Sequence, residues 1–160
     1  MTADRSARPA VRPGPGRTGA APHRGGAHRV ERAAVTAFGA FRERHYEPYL
    51  RYAALRIGQS DAAERVVSDA FTELAVTWTV ALGSAGPAAV AWDILHDHIG
   101  QALAGRGHPD RSDGPARSLP LEAQVLHRRL RLSSERVAEV LGISPGVVPG
   151  LLPRSAPLKE

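Results

Sequence analysis

Apolar residues recur through the middle of this chain at steps of three and four, the spacing of one face of an α-helix. Between Val30 and Ile57 they fall at Val35, Phe38, Phe41, Tyr46, Tyr49, Leu50, Ala53, Ala54 and Ile57. Pro48 lies among them. With φ fixed and no N–H to donate, it predicts the first turn of a second helix. Gly58 suits a left-handed helix end, and Ser60-Asp61 offers a cap for the helix that follows. That helix is expected over Asp61–Val80. Ala63, Val66, Val67, Ala70, Phe71, Leu74 and Trp78 make its apolar stripe, with Glu64, Ser68 and Glu73 largely off it. The run GSAGP at 83–87 breaks it. A fourth helix over Ala88–Leu103 then carries Trp92, Leu95, Ile99 and Leu103 on one side.

Residues 104–118, AGRGHPDRSDGPARS, have no periodicity and read as a linker. Beyond them Leu119-Pro120 opens a short basic amphipathic helix, and Ser133-Ser134-Glu135-Arg136 caps a helix of barely two turns ending at Gly142. Nowhere does a two-residue period survive, so the expected class is all-α. Two small helical domains are expected, a four-helix unit over 30–103 and a second unit over 119–160. The second is near the lower size limit for independent folding.

Charge changes this picture mainly by where it lies. The chain of 160 residues holds 21 Lys and Arg against 16 Asp and Glu. Residues 1–30 take six of the arginines and one acid, Asp4, which leaves 15 of each sign in the remainder. The body is therefore neutral, and its isoelectric point is no argument for a DNA-binding surface. Residues 1–29, rich in Pro, Gly, Ala and Arg, bury too little to offset their ordering entropy and are expected to be disordered. They read as a solvated arm, or more sharply as an arm binding phosphate without sequence preference. They lack the continuous apolar run of a secretory signal. The uncharged stretch Leu74–Trp92 is interrupted by GSAGP and does not make a membrane span. With no Cys, disulfides and thiolate metal sites are excluded, and a cytoplasmic setting is the default.

The segment LSSERVAEVLGISPGVV has the grammar of a helix-turn-helix. Its capped short helix has Val137, Val140 and Leu141 on the inner face, Gly142 allows a tight turn, and Ser144 can cap a second helix. SERVAEVLGISPGVV resembles the fourth conserved region of the sigma-70 family of RNA polymerase sigma factors, particularly the two-domain extracytoplasmic-function group. FRERHYEPYLRYAALRIGQSDAAERVVSDAFTELAVTW is similar to their second region, with GPAAVAWDILHDHIGQAL standing where the Trp-bearing helix lies and LPLEAQVLHRRL where region four begins. The matches span roughly 38–103 and 119–155, in the family's order.

The resemblance implies a transcription protein, not an enzyme, whose partners are core RNA polymerase and promoter DNA. It places Glu64, Arg65, Ser68, Asp69 and Glu73 on the helix facing polymerase, and Arg128, Arg129, Ser144 and Arg154 toward DNA. No cofactor is implied. The departures fall where DNA is read. Asp93, Asp97 and Gln101 occupy a face that is usually basic and amide-bearing in the family, and stacking aromatics for unpaired bases are not evident.

Where the family has a polar recognition helix, this chain has prolines at 145, 149, 153 and 157 and glycines at 146 and 150. Pro145 suits a first helical position. Pro149 removes a donor and collides with the carbonyl of residue 145, costing about 3 kcal/mol or more. Ser144-Pro145-Gly146-Val147 and Val148-Pro149-Gly150-Leu151 each suit a type II turn. A kinked or broken segment is expected, with at most one helical turn around 145–148. Promoter reading would then be weakened. The alternative is a protein-interaction module, binding an anti-sigma or another regulator through an exposed Val147, Val148, Leu151 and Leu152. Asp93, His96 and Asp97 have the spacing of metal ligands on a helix, but with no second cluster a solvated polar face is the better reading. No phosphate-cradling or nucleophile-elbow motif occurs.

Overall fold

A computed structural model describes residues 24–84, 86–105 and 118–152. The described residues are helices and turns. Three long helices come first: α1 (Arg24–Ile57), α2 (Ser60–Leu82) and α3 (Pro87–Ala104). Short ones follow: α4 (Leu119–Gln124), which runs into a π-helical turn over Val125–Arg129, then α5 (Ser134–Leu141), a 3-10 turn over Pro145–Val147, and α6 (Val148–Leu151). The all-α expectation holds for these residues. Arg5, Arg8, Arg12 and Arg17, residues 106–117, and Pro153, Arg154 and Pro157 lie outside them.

Two expectations are corrected in α1. Residues 24–29 are helical, not part of a disordered arm. Extending an anchored helix costs far less than nucleating one, which lets Arg24, Ala27, His28 and Arg29 continue it despite the glycines at 25 and 26. Nor does a new helix begin at Pro48, which sits inside one continuous helix of 34 residues, so the first unit has three helices. Proline at this position deprives the Arg44 carbonyl of its usual donor. The Arg136 guanidinium of α5 donates to that carbonyl instead. A charged hydrogen bond of this kind is worth about 1.5–3 kcal/mol, enough to offset much of the proline penalty.

Gly58, at φ +76°, ends α1 and lets the chain reverse into α2. Ser60 is the first residue of α2 and Gln59 precedes it without a side-chain capping bond, so the expected Ser60-Asp61 cap is absent. The stripe read from the sequence is the buried one. Ala63, Val67 and Leu74 are almost wholly enclosed, and Phe71 and Trp78 nearly so. Phe38 and Phe41 of α1 pack on Trp78 at ring-centroid distances of 5.3 and 5.2 Å, while the Trp78 indole N–H donates to the Ala34 carbonyl at 2.9 Å. Tyr52 meets Trp92 of α3 at 4.7 Å.

The core does not stop at α3. Ala123, Leu126, Leu130, Val137, Val140, Leu141 and Val148 are buried in the same hydrophobic cluster as the rings of α1–α3. At Gly142 the backbone is left-handed, φ +68°, and a Cβ there would lie 2.8 Å from Cα of Ala89. The turn after α5 is therefore seated on the first turn of α3, in a contact that only glycine permits.

Candidate functional site

The five residues expected to face polymerase are all exposed on α2, opposite its buried stripe. Glu73 is partly committed, because Nε2 of His98 on α3 donates to its carboxylate at 2.8 Å. Glu64, Arg65, Ser68 and Asp69 project from the first half of the helix. The sequence reading missed how this face continues. Ser68, Thr72, Val76 and Val80 follow at steps of four, and Val76 is 82% exposed and Val80 73%. That spacing is visible in the sequence, where Val76 and Val80 fall off the apolar stripe of the same helix. A surface of two or three acids merging into bare valines disfavours phosphate and favours protein. Asp93 and Asp97 are exposed on α3 and add acid to the same pair of helices.

The helix-turn-helix expectation divides at the turn. The Ser133 hydroxyl accepts from the Arg136 N–H at 3.2 Å, and Ile143 N–H returns to the Ala138 carbonyl at 3.0 Å around left-handed Gly142. The first helix and turn are thus built as the sequence predicts. Past Gly142 the expected break is not made. A 3-10 turn over Pro145–Val147 passes directly into α6, with Val147 and Val148 both right-handed helical. Pro149 sits in the first turn of α6, where a missing N–H costs nothing. Gly146 and Gly150 do not have positive φ, so neither expected type II turn forms. Ser144 forms no side-chain cap. Its carbonyl accepts from Val147 N–H at 3.0 Å and its side chain is exposed.

The apolar surface expected at Val147, Val148, Leu151 and Leu152 is mostly absent. Val148 is fully buried, Leu151 and Leu152 are half-buried, and Val147 alone is exposed, at 45%. Keeping the apolar register has kept these residues in the core. From Ser144 to Leu152 there is no charged side chain to meet a phosphate. Arg154 lies outside the described residues. Arg128 and Arg129 are exposed on the π-helical turn.

Several polar contacts fasten the C-terminal helices to the first three. Arg44 of α1 grips Glu139 of α5, with Nη2 donating to Oε2 at 2.9 Å, and Arg136 Nη1 lies 2.7 Å from the same oxygen. The bond from Arg44, then that from Arg136, holds the Glu139 carboxyl down to about 2. Beside this pair His45 is buried. Its Nδ1 donates to the Phe41 carbonyl at 2.9 Å, its ring stacks on Phe41, and burial pushes its pKa below the ordinary value. The Tyr49 hydroxyl, whose pKa burial raises, sits 3.4 Å from the Val140 carbonyl. On the far side Trp92 Nε1 donates to buried Glu122 at 2.7 Å, with His96 Nε2 3.4 Å from the other oxygen. A buried carboxyl group without a partner would be costly, and the indole N–H supplies one.

Among the described residues no group of His, Asp and Glu is arranged to hold a metal, and no helix is long and apolar enough to cross a membrane. Comparison with family models, with curated proteins and with solved structures returns no match.

Proposed function

We propose that the chain is a divergent sigma-70-like transcription protein that docks on core RNA polymerase through α2 and reads promoter DNA weakly on its own. The observation that carries this reading is the face of α2. It presents Glu64, Arg65, Ser68 and Asp69 and then Val76 and Val80, a protein-binding rather than phosphate-binding composition, on the helix that resembles the second region of the family. Support for a region-four unit comes from α5, capped by Ser133 and closed by left-handed Gly142. Support for weakened reading comes from the short, uncharged segment Ser144–Leu152.

The second reading, a protein-interaction module bound by a regulator and never directed at a promoter, is favoured by that same uncharged segment. It cannot use Val148 as a contact, since that side chain is enclosed. Size-exclusion chromatography of the full chain with core polymerase, followed by run-off transcription from a promoter library, separates the two. Co-elution with weak or no promoter-dependent transcript is the expected result. A chain that elutes apart from polymerase sinks the polymerase role, and a strong transcript sinks the claim of weakened reading.

A further inference from the structure

We propose that Arg51, Arg128, Arg129 and Arg131 form one composite surface for the phosphodiester backbone of duplex DNA, built jointly by α1 and the turn that precedes α5. The proposal rests on the reading of the C-terminal helices as DNA-directed, and adds to them a residue of α1. Arg51 Nη2 donates to the Leu130 carbonyl at 2.8 Å across 79 positions of sequence. Arg129 and Arg131 flank Leu130 and Arg128 stands one residue further, so four guanidinium-bearing residues meet at one turn, all exposed. Two acids stand nearby. Glu47 lies 3.9 Å from Arg51 and is 79% exposed, and Glu135 takes a hydrogen bond from the Ser133 hydroxyl. Four cations against two solvated acids leave a net positive patch on a body whose bulk charge is zero.

The turn that carries the patch is held firmly. Leu130 is buried and its N–H donates to the Val125 carbonyl, Leu132 N–H donates to the Leu126 carbonyl, and His127 Nδ1 donates to the Leu132 carbonyl at 2.8 Å. A fixed turn leaves only the arginine side chains, and not the backbone, to be ordered on binding. Arg131 is the second observation. It has φ +59°, the one positive value among described non-glycine residues, at a helix-ending position that glycine ordinarily takes. An arginine kept in a strained backbone points to a use for its side chain. The planar guanidinium fork matches phosphate oxygens bidentately, which suits a run of phosphodiesters.

The test is fluorescence anisotropy of the full chain with a labelled DNA duplex of arbitrary sequence, without polymerase, over a series of KCl concentrations. Each lost phosphate contact makes the slope of log K against log[KCl] shallower by about one. Arg51→Gln and Arg131→Gly are each expected to show that loss, whereas Arg32→Gln on the exposed start of α1 keeps the parent slope. Differences between variants cancel whatever the N-terminal arginines contribute. Arg131→Gly relieves the positive φ, so its melting temperature stays level or rises and misfolding cannot explain weaker binding. Unchanged slopes for both folded variants overturn the proposal. So does binding to phosphatidylglycerol vesicles without binding to the duplex. Loss of polymerase co-elution with the slope changes intact would overturn the functional reading and leave this surface standing.

Discussion

At Gly142, sequence and fold meet in one backbone angle. The left-handed φ of +68° ends α5, and the missing side chain lets the turn rest on Ala88 and Ala89 of α3. Gly142→Ala would suffer both the strained conformation and a clash with backbone that cannot yield. A loss of about 2–4 kcal/mol is expected in denaturant unfolding, against a few tenths at open Gly146. Two ionisable groups at the same junction set the response to acid. His45 has a depressed pKa in the fold, so the unfolded chain takes up its proton first and stability falls as pH drops below about 6.5. Glu139 is held at about 2 against an ordinary 4.5, so its contribution is present above 4.5 and is lost as pH falls toward 2. Melting temperatures measured from neutral to acid pH should decline in those two windows. His45→Gln should flatten the upper one, and a parent profile flat between pH 7 and 5 would contradict the account.

Helices α2, α3 and α5 could be read directly from spacing and punctuation, because Gly58, the GSAGP run and Gly142 act locally on the backbone. The stripe on α2 was legible for the same reason, and with it the positions of Glu64, Arg65, Ser68 and Asp69. The misreading of α1 arose from a long-range partner. Pro48 looks like a boundary until Arg136, far along the chain, supplies the donor that the Arg44 carbonyl lacks. The prolines after Gly142 predict a break that the fold does not make, because Pro145 and Pro149 each fall in a first turn that needs no donor, and Val148 is enclosed by the packing of α6 on α4 and α5. Pro149 withholds the α-helical donor from the Pro145 carbonyl, which accepts from Val148 N–H instead and so keeps the first turn 3-10. Pro149→Lys should convert that turn to α-helix, raise the helical circular-dichroism signal and add a cation for DNA. An unchanged spectrum would show that the 3-10 turn has another cause.

Across the whole molecule, the contacts of Arg44 with Glu139, Trp92 with Glu122, and Gly142 with Ala89 continue one hydrophobic cluster from the first three helices into the last ones. None of these pairings has a local signature, which is why the charge and spacing of each half gave no sign of them. A shared core predicts shared unfolding. Leu126→Ala, in the C-terminal helices, should cost about 2–5 kcal/mol and lower the transition reported by Trp78 and Trp92 fluorescence to the same extent as the transition in helicity. If the tryptophan signal keeps its parent midpoint, the halves unfold separately. The central claim concerns the outer face of α2, and it is tested most directly by the dissociation constant of the labelled full chain for core RNA polymerase, compared with that of the Asp69→Arg, Val76→Glu double variant. Saturable binding by the parent and at least about a tenfold loss in the folded variant, about 1.4 kcal/mol, is the predicted result. No binding by the parent, or equal binding by both, would contradict it.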